Sequence, residues 1–266
     1  VLQRQGMEFE WVDTRDPANV EKHIRPNTKL VHVETPTNPL LELCNLEATS
    51  AICKKAGVYL SVDNSFMSPY GQRPLDLGVD VVMQSSTKSL SGHSDILGGV
   101  LATNDDDLDE RLRFLLKATG GVPSPFDNWI LLRSTKTLGL RYQKSTDNAV
   151  ELATWLCKQK GLDDVLYPGL NSHPQHEIAV KQQRSPSGDV IFGHMISIDI
   201  GSIDARDRFL ERLEVFTLAE SLGGVESLVC VPYNMTHAAI PEDVKLEMGI
   251  TETLIRLSIG IEDIVD

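Results

Sequence analysis

The chain has 266 residues, 41% hydrophobic and 24% charged, so it can bury the core of one large domain or two modest ones. Its 38 acidic and 25 basic residues give a net charge of −13, which argues against nucleic acid or an anionic membrane as partner. No apolar run is long enough to cross a bilayer. The four cysteines lack the spacing of a metal site, which predicts a cytoplasmic protein with reduced, packing cysteines and no metal.

The first part of the chain alternates predicted strands and helices, as a parallel α/β architecture requires. Residues 1–6 have the pattern of a helix end capped by Gly6, and residues 8–12 that of a strand. The apolar strand at 29–34 ends at the turn 35–39, where two prolines prevent a regular element from continuing.

Two later strands also end in polar residues. The predicted strand 58–62 ends at Asp63, and the apolar run 79–83 leads to Lys88. Asn38, Asp63 and Lys88 are therefore 25 residues apart each time, and each follows an apolar strand. Because ligands bind outside the carboxyl ends of the strands in an open parallel sheet, we expect the three side chains to line one crevice.

Lys88 lies in a segment rich in serine and threonine, where a desolvated amine would have a lowered pKa and could condense with an aldehyde. On an extended chain the hydroxyls of Ser85 and Thr87 would face the same way, as paired ligands of a phosphate would. An aspartate opposite such a lysine is the pairing expected for pyridoxal phosphate, whose ring nitrogen the acid keeps protonated. A purely structural lysine at a strand end remains the alternative.

The second part of the chain predicts a smaller α/β unit with an antiparallel sheet. Its elements are a helix at 205–213 and strands at 192–200 and 254–261, and a helical stretch at 126–158 leads into it. The first part of the chain has further predicted helices at 47–56 and 106–118. An acidic run from Asp105 opens the helix at 106–118, in keeping with the helix dipole. We predict a partial cofactor-binding domain over 1–139, with a mixed, mainly parallel sheet, and a C-terminal α/β domain over 140–266.

The ordered motifs of the chain resemble the pyridoxal-phosphate enzymes of cysteine and methionine metabolism, which include cystathionine γ-lyase, γ-synthase and β-lyase and methionine γ-lyase. The matching stretches are residues 34–39, 62–66, 85–88, 92–95, 167–170, 172–176, 219–227, 235–238 and 254–258. The likeness is strongest to the cystathionine γ-lyase branch. It implies an aspartate-aminotransferase-like fold of type I with an incomplete large domain, and a homo-oligomer, namely a tetramer.

The resemblance also implies roles for single residues. Lys88 would be the catalytic residue, and the site for pyridoxal 5'-phosphate would consist of Asn38, Asp63, Ser65, Ser85, Thr87 and Lys88. The substrate site would consist of Glu220, Ser221 and Arg256. Arg256 would hold the α-carboxylate bidentately, since an unpaired guanidinium in an apolar strand is costly, and Glu220 would meet the distal ammonium of cystathionine. The implied activity is γ-elimination of L-cystathionine to cysteine, 2-oxobutanoate and ammonia, a trans-sulfuration step.

Several alternatives stay open. Asn38 and Ser65 could serve the turns in which they stand, and Glu220 could be a surface acid. Cystathionine γ-synthase activity is a second reading, as is a catalytically incomplete fragment with a role in oligomerisation. We expect a truncated chain, because the family's N-terminal arm, phosphate-binding glycine loop, ring-stacking tyrosine and final helix have no counterpart here. A dinucleotide oxidoreductase is disfavoured, since the α/β half has no GxGxxG.

Overall fold

The computed structural model describes residues 2–266, in which nine strands form two sheets. The first sheet has the order β1–β2–β3–β4, with β1 (Leu30–Glu34), β2 (Tyr59–Asp63), β3 (Val81–Ser85) and β4 (Gly99–Ala102). The first three strands are parallel, and β4 is antiparallel to β3. The predicted mixed, mainly parallel sheet is therefore present, and the ends of β1, β2 and β3 meet at one edge.

The second sheet has the order β5–β6–β9–β8–β7. Its strands are β5 (Asp164–Leu166), β6 (Met195–Asp199), β7 (Thr217–Leu218), β8 (Leu228–Cys230) and β9 (Leu254–Ser258). All neighbouring pairs are antiparallel except β7 and β8, which are parallel. The predicted antiparallel sheet is thus correct for four of its five strands.

Helices cover the sheets and connect them. They are α1 (Pro17–His23), α2 (Leu46–Ala56), α3 (Ser68–Gly71), α4 (Asp106–Thr119), α5 (Pro125–Thr135), α6 (Leu138–Leu156), α7 (His176–Gln182), α8 (Ile203–Glu211) and α9 (Glu242–Glu247). Within residues 2–266, none of them combines the length and apolar character needed to cross a membrane.

The bounds of α2 and α4 follow from local capping. The side chain of Asn45 accepts a hydrogen bond from the Ala48 amide at the start of α2, and Asp105 does the same for Leu108 at the start of α4. Gly57 and Gly120 end these helices at positive φ, which glycine adopts without steric penalty.

Two of the predicted secondary-structure elements differ from the structure. The single helix predicted over 126–158 is broken between α5 and α6, because Thr137 leaves the helical conformation (φ −110°, ψ 4°) and its hydroxyl donates to the Ser134 carbonyl. The strand predicted at 8–12 is irregular, since no strand of the described residues pairs with it. A single turn of 3-10 helix over Leu2–Gln5 precedes Gly6, and Val1 lies outside the described residues.

The predicted boundary between residues 139 and 140 falls inside α6 and stays a prediction. Each sheet has its own apolar core: Leu60 and Val62 are buried in the first, and Ile196 and Ile255 in the second. The second unit contacts the loop that follows β1, where the Ser197 hydroxyl donates to the Pro39 carbonyl at 2.6 Å. This contact brings β9 to the edge where β1 ends.

The cysteines are all free, as predicted. Cys44, Cys53 and Cys230 are buried packing residues, but Cys157 is exposed at the end of α6, so the expectation that all four pack in the interior is wrong for that one.

Candidate active site

Arg256 lies in the middle of β9 and is only 1% exposed. Its Nη1 donates to Asn38 Oδ1 at 2.9 Å, and its Nη2 donates to the carbonyls of Glu220 at 2.7 Å and Ser221 at 3.2 Å. Its Nε is buried and has no hydrogen-bond partner within residues 2–266. Burial lowers the pKa of Arg256, and Cys230, Glu34 and Glu220 offset part of that shift. The guanidinium is thus a buried cation whose protein partners are neutral groups.

Lys88 lies in a helical turn, Ser86–Leu90, that follows β3 directly, and its own backbone angles (φ −90°, ψ −136°) are not helical. Its Nζ donates to Ser221 Oγ at 3.4 Å, a long hydrogen bond. Burial, and then the positive charge of Arg256, lowers the pKa of the Lys88 amine. The predicted desolvated lysine is therefore present, close to a second cation.

Ser221 joins the two cations. Its hydroxyl accepts the hydrogen bond from Lys88, and its carbonyl accepts one from Arg256. The segment that contains it packs closely on the Lys88 turn: Gly223 has a φ of +76°, and a Cβ there would lie 2.8 Å from the Ser89 amide nitrogen. Only glycine satisfies both conditions at this position.

Asp63 and Ser65 lie at the end of β2, and Ser85 at the end of β3. Asp63 Oδ1 accepts the Ser65 amide at 2.9 Å, and Ser65 Oγ accepts the Ser85 amide at 2.8 Å. The second carboxylate oxygen of Asp63 makes no hydrogen bond in the described part of the chain. The Ser65 backbone therefore bonds within its own turn, whereas its hydroxyl bonds the end of β3, and a role of Ser65 in holding the cofactor stays a prediction.

Ser85 and Thr87 do not share the extended geometry that was expected of them. The chain turns into a helical conformation after Ser85, so residues two apart no longer face the same way. Thr87 Oγ1 accepts the Gly98 amide at 2.9 Å and donates to the Gly98 carbonyl at 3.4 Å. The hydroxyl of Ser85 makes no hydrogen bond within residues 2–266.

Glu220 contributes its backbone to the site, while its side chain is exposed. Its carbonyl orients Arg256, and its carboxylate stands at the rim. Of the predicted residues, Asn38, Lys88, Ser221 and Arg256 form one connected hydrogen-bonded chain. Asp63, Ser65 and Ser85 form a second group at the ends of β2 and β3.

Sequence reasoning missed Glu34, the last residue of β1. It stands opposite Asp63 in the parallel register, and its Oε1 accepts the Asn38 amide at 2.8 Å. Burial first, and then the charge of Asp63, raises the pKa of Glu34 to about 7, against the lowering effects of the hydrogen bond from the Asn38 amide and of the charge of Arg256. Its position in the chain, an acid ending an apolar strand as Asp63 does, was the available signal.

Arg141 was also missed. It lies on α6 and donates to the carbonyls of Ser89 at 2.9 Å, Leu90 at 3.3 Å and Ser134 at 3.0 Å. It therefore fastens the end of the Lys88 turn to α6. The close approach requires Gly92, where a Cβ would lie 1.9 Å from Arg141 Nη1. No sequence pattern pairs an arginine with carbonyls about fifty residues away.

This geometry is that of an α/β enzyme of a lysine-bound cofactor, with an amine, an acid and a buried arginine at the carboxyl ends of the strands. A family model described as Cys/Met metabolism PLP-dependent enzyme matches residues 1–266. A cystathionine γ-lyase of Bacillus subtilis (strain 168) is 51% identical over 266 residues, 100% of this chain and 69% of that protein. A cystathionine β-lyase of Coxiella burnetii is 45% identical over 263 residues, 98% of this chain and 66% of that protein.

The same likeness holds for the fold. The solved structure of a cystathionine γ-lyase from Lactobacillus plantarum, complexed with L-serine, has a TM-score of 0.95 at 42% identity, covering 100% of this chain and 68% of that one. The chain belongs to the pyridoxal-phosphate-dependent enzymes of cysteine and methionine metabolism, and it spans about two thirds of the length of these relatives. The predicted family, fold class, cofactor and enzyme type, a carbon–sulfur lyase of trans-sulfuration, are confirmed.

The residues present fit pyridoxal 5'-phosphate. Lys88 offers an amine of lowered pKa. Asp63 has one carboxylate oxygen without a protein partner in the described residues, and there Arg256 is a buried charge that forms no ion pair. Asn38 uses its amide oxygen for Arg256, which leaves its amide nitrogen for a ligand. A small amino acid with a carboxylate suits this set of groups.

The raised pKa of Glu34 predicts a pH-dependent effect of Glu34→Gln on stability. The folded pKa of about 7 exceeds the ordinary value of 4.5, so the folded chain binds the extra proton between these values and its stability falls as pH rises through them. Glutamine keeps an acceptor for Asn38 without the charge. We expect the cofactor-free variant to be more stable than the parent by about 3 kcal/mol near pH 8, and equal near pH 4.5.

Urea unfolding at several pH values measures this difference. Glu42→Gln is the matched control, because the Glu42 carboxylate pairs with Arg15 at 2.8 Å and takes no part in the site. A difference for Glu34→Gln that stayed constant across the range would show that the carboxyl titrates normally.

Proposed function

We propose that the chain carries the active site for γ-elimination of L-cystathionine, which with one water gives cysteine, 2-oxobutanoate and ammonia. The hydrogen-bonded chain from Asn38 through Arg256 and Ser221 to Lys88 carries the proposal, since it sets a carboxylate-binding cation beside a proton-transferring amine. The relative named cystathionine γ-lyase at 51% identity supports γ-cleavage, and the relative named β-lyase at 45% makes β-elimination the second candidate.

In this proposal Arg256 binds the substrate α-carboxylate. Its hydrogen-bond partners in residues 2–266 are carbonyls and an amide, so no ion pair among the described residues neutralises its charge. A carboxylate that accepts two parallel hydrogen bonds from a guanidinium is fixed in direction as well as position. Arg256 thereby sets the orientation of the substrate Cα toward Lys88.

Lys88 transfers protons in the reaction. When bound, pyridoxal phosphate would accept the electron pair released at the substrate Cα. The Lys88 amine, whose pKa is lowered by burial and by Arg256, would act as the base first at Cα and then at Cβ, and loss of the Cβ proton would supply the electron pair that expels the sulfur from Cγ as a thiolate. Ser221 holds the amine through its hydroxyl near the bound carboxylate.

The remaining predicted residues would hold the cofactor. The unpaired oxygen of Asp63 would keep the ring nitrogen protonated, and the amide nitrogen of Asn38 would donate to the ring hydroxyl. Ser65, Ser85 and Thr87 would form the side of the site where the phosphate binds, with the Ser85 hydroxyl as its most available donor. The Thr87 hydroxyl could donate to the phosphate only if it gave up its hydrogen bond to the Gly98 carbonyl.

Two further parts of the proposal concern the whole protein. We propose a homotetramer, by likeness to the family, and exposed apolar side chains such as Phe114 and Trp129 on α4 and α5 provide surface for contacts between copies. We also propose a cytoplasmic location, which suits four free cysteines.

The assignment of Lys88 predicts a single covalent attachment point for the cofactor. With pyridoxal phosphate bound, borohydride reduction should fix one pyridoxyl group per chain on Lys88, identified by peptide mapping. Lys88→Ala should abolish both the label and product formation. Lys117→Ala, which removes an exposed lysine at the end of α4, should change neither. A label on any other lysine would sink the assignment.

The role of Arg256 predicts a selective effect on substrate binding. Arg256→Lys keeps the charge but loses the bidentate geometry. We therefore expect kcat/KM to fall by an amount that corresponds to about 2 kcal/mol of lost transition-state stabilisation, mainly through a higher KM. The absorption of the bound cofactor should be unchanged, and circular dichroism should confirm that the variant folds. An unchanged KM for cystathionine would assign the arginine to the fold instead.

The products decide the reaction. Incubation of the cofactor-loaded chain with L-cystathionine should give cysteine and 2-oxobutanoate in equal amounts, measured by mass spectrometry. Homocysteine with pyruvate as main products would establish β-elimination instead. Efficient condensation of cysteine with an activated homoserine ester would indicate a γ-synthase. Formation of neither 2-oxo acid would contradict a lyase function of this chain.

Glu220 provides the sharper form of the same test. Its carboxylate at the rim can pair with the distal ammonium of cystathionine, which methionine lacks. Glu220→Ala should lower the preference for cystathionine over methionine by about two- to fivefold in kcat/KM, an exposed ion pair being weak. Glu226→Ala, on the same segment, is the comparison variant. If the ratio of kcat/KM for cystathionine to that for methionine did not change, Glu220 would be a surface acid without a role in substrate binding.

A further inference from the structure

Glu34 is an acid inside the site to which the proposed function gives no role. It ends β1 and stands opposite Asp63 in the parallel register of β1 and β2. Its Oε1 accepts a hydrogen bond at 2.8 Å from the backbone amide of Asn38, across the intervening turn. The side chain is therefore directed at the loop that carries Asn38, where it forms a specific contact.

The other hydrogen bonds of this loop do not involve the Asn38 amide. Thr35 Oγ1 accepts the Cys44 amide at 3.0 Å, and the Thr37 amide donates to the Glu42 carbonyl at 2.9 Å. These bonds brace the two ends of the turn. Within residues 2–266, the amide of Asn38 donates to Glu34 alone.

The position of Asn38 affects the orientation of Arg256. Its Oδ1 accepts from Arg256 Nη1 at 2.9 Å, and its carbonyl oxygen lies 3.1 Å from Nε2 of His237. The backbone of Asn38 is thus held on one side by Glu34 and on the other by His237. A change in the direction of the Asn38 side chain would turn the guanidinium, whose other hydrogen bonds are both donated by a single nitrogen, Nη2.

We propose that Glu34 is a positioning residue for the reaction: by holding the Asn38 amide, it fixes the direction in which Arg256 presents its guanidinium to the substrate α-carboxylate. The inference rests on the proposed function, since it takes Arg256 as the carboxylate-binding group. Glu34 itself touches neither substrate nor cofactor in this account. The role requires an acceptor oxygen at this place, and it does not require the negative charge.

Three variants test the proposal on the full chain with cofactor bound: Glu34→Ala removes the acceptor, Glu34→Gln keeps it, and Glu42→Gln removes a neighbouring acid outside the site. For Glu34→Ala we expect KM for cystathionine and the dissociation constant of L-serine, measured by calorimetry, to rise about tenfold, with kcat changed less than about threefold. Glu34→Gln should keep both constants within about threefold of the parent, and Glu42→Gln should leave them unchanged.

Hydrogen exchange of the cofactor-free chain provides a readout independent of activity. The peptide spanning residues 35–40 should exchange faster in Glu34→Ala and at the parent rate in Glu34→Gln. If exchange in Glu34→Ala were unchanged, Glu34 would not hold Asn38, and the proposal would be overturned. Faster exchange with unchanged KM and L-serine binding would overturn it too, because the contact would then serve only the loop.

The failure of the proposed function would look different. If the parent chain released no 2-oxo acid from cystathionine, γ- and β-elimination would both be contradicted. The positioning role would still be decided by L-serine binding together with exchange at residues 35–40. In Glu34→Gln, exchange of residues 35–40 could return to the parent rate while KM and the dissociation constant of L-serine stayed high. The charge of Glu34 and not its position would then be the relevant property, and the proposal would be wrong.

Discussion

The buried guanidinium of Arg256 is the constraint on which the rest of the site depends. A cation in the centre of a strand is unfavourable unless polar groups surround it, and here they come from both halves of the chain. Asn38 reaches it from the loop after β1, and the carbonyls of Glu220 and Ser221 reach it from the segment before β8. Satisfying one charge thereby fixes the second sheet against the edge of the first.

The same requirement positions Lys88. Since Ser221 bonds both Arg256 and Lys88, the segment that satisfies the guanidinium also places the amine. Arg141 holds the carbonyls at the end of the Lys88 turn, an approach that only the absence of a side chain at Gly92 permits. Arg141 thus fixes the end of the turn that carries Lys88, and the charge of Arg256 helps to lower the pKa of the Lys88 amine.

Sequence reasoning found what depends on local pattern. Asn38, Asp63 and Lys88 follow apolar strands, and the parallel-sheet rule then places them at one edge. It did not find what depends on contacts far along the chain: Asn38 and Arg256 are 218 residues apart, and no periodicity pairs them. The extended geometry expected of Ser85 and Thr87 was wrong, because the chain turns into a helical conformation after Ser85, where the Thr87 hydroxyl bonds the backbone of Gly98.

The two carboxyl groups at the ends of β1 and β2 explain how Arg256 stays available to a ligand. An arginine paired with an ionised internal carboxylate would have little attraction left for a substrate. The acid nearest in the hydrogen-bond chain, Glu34, has a pKa raised to about 7 by burial and by Asp63, so near neutral pH it is only partly ionised. Its bond to Asn38 needs an oxygen, not a charge. The site can therefore hold Arg256 in place through neutral contacts while leaving its charge to meet the substrate carboxylate.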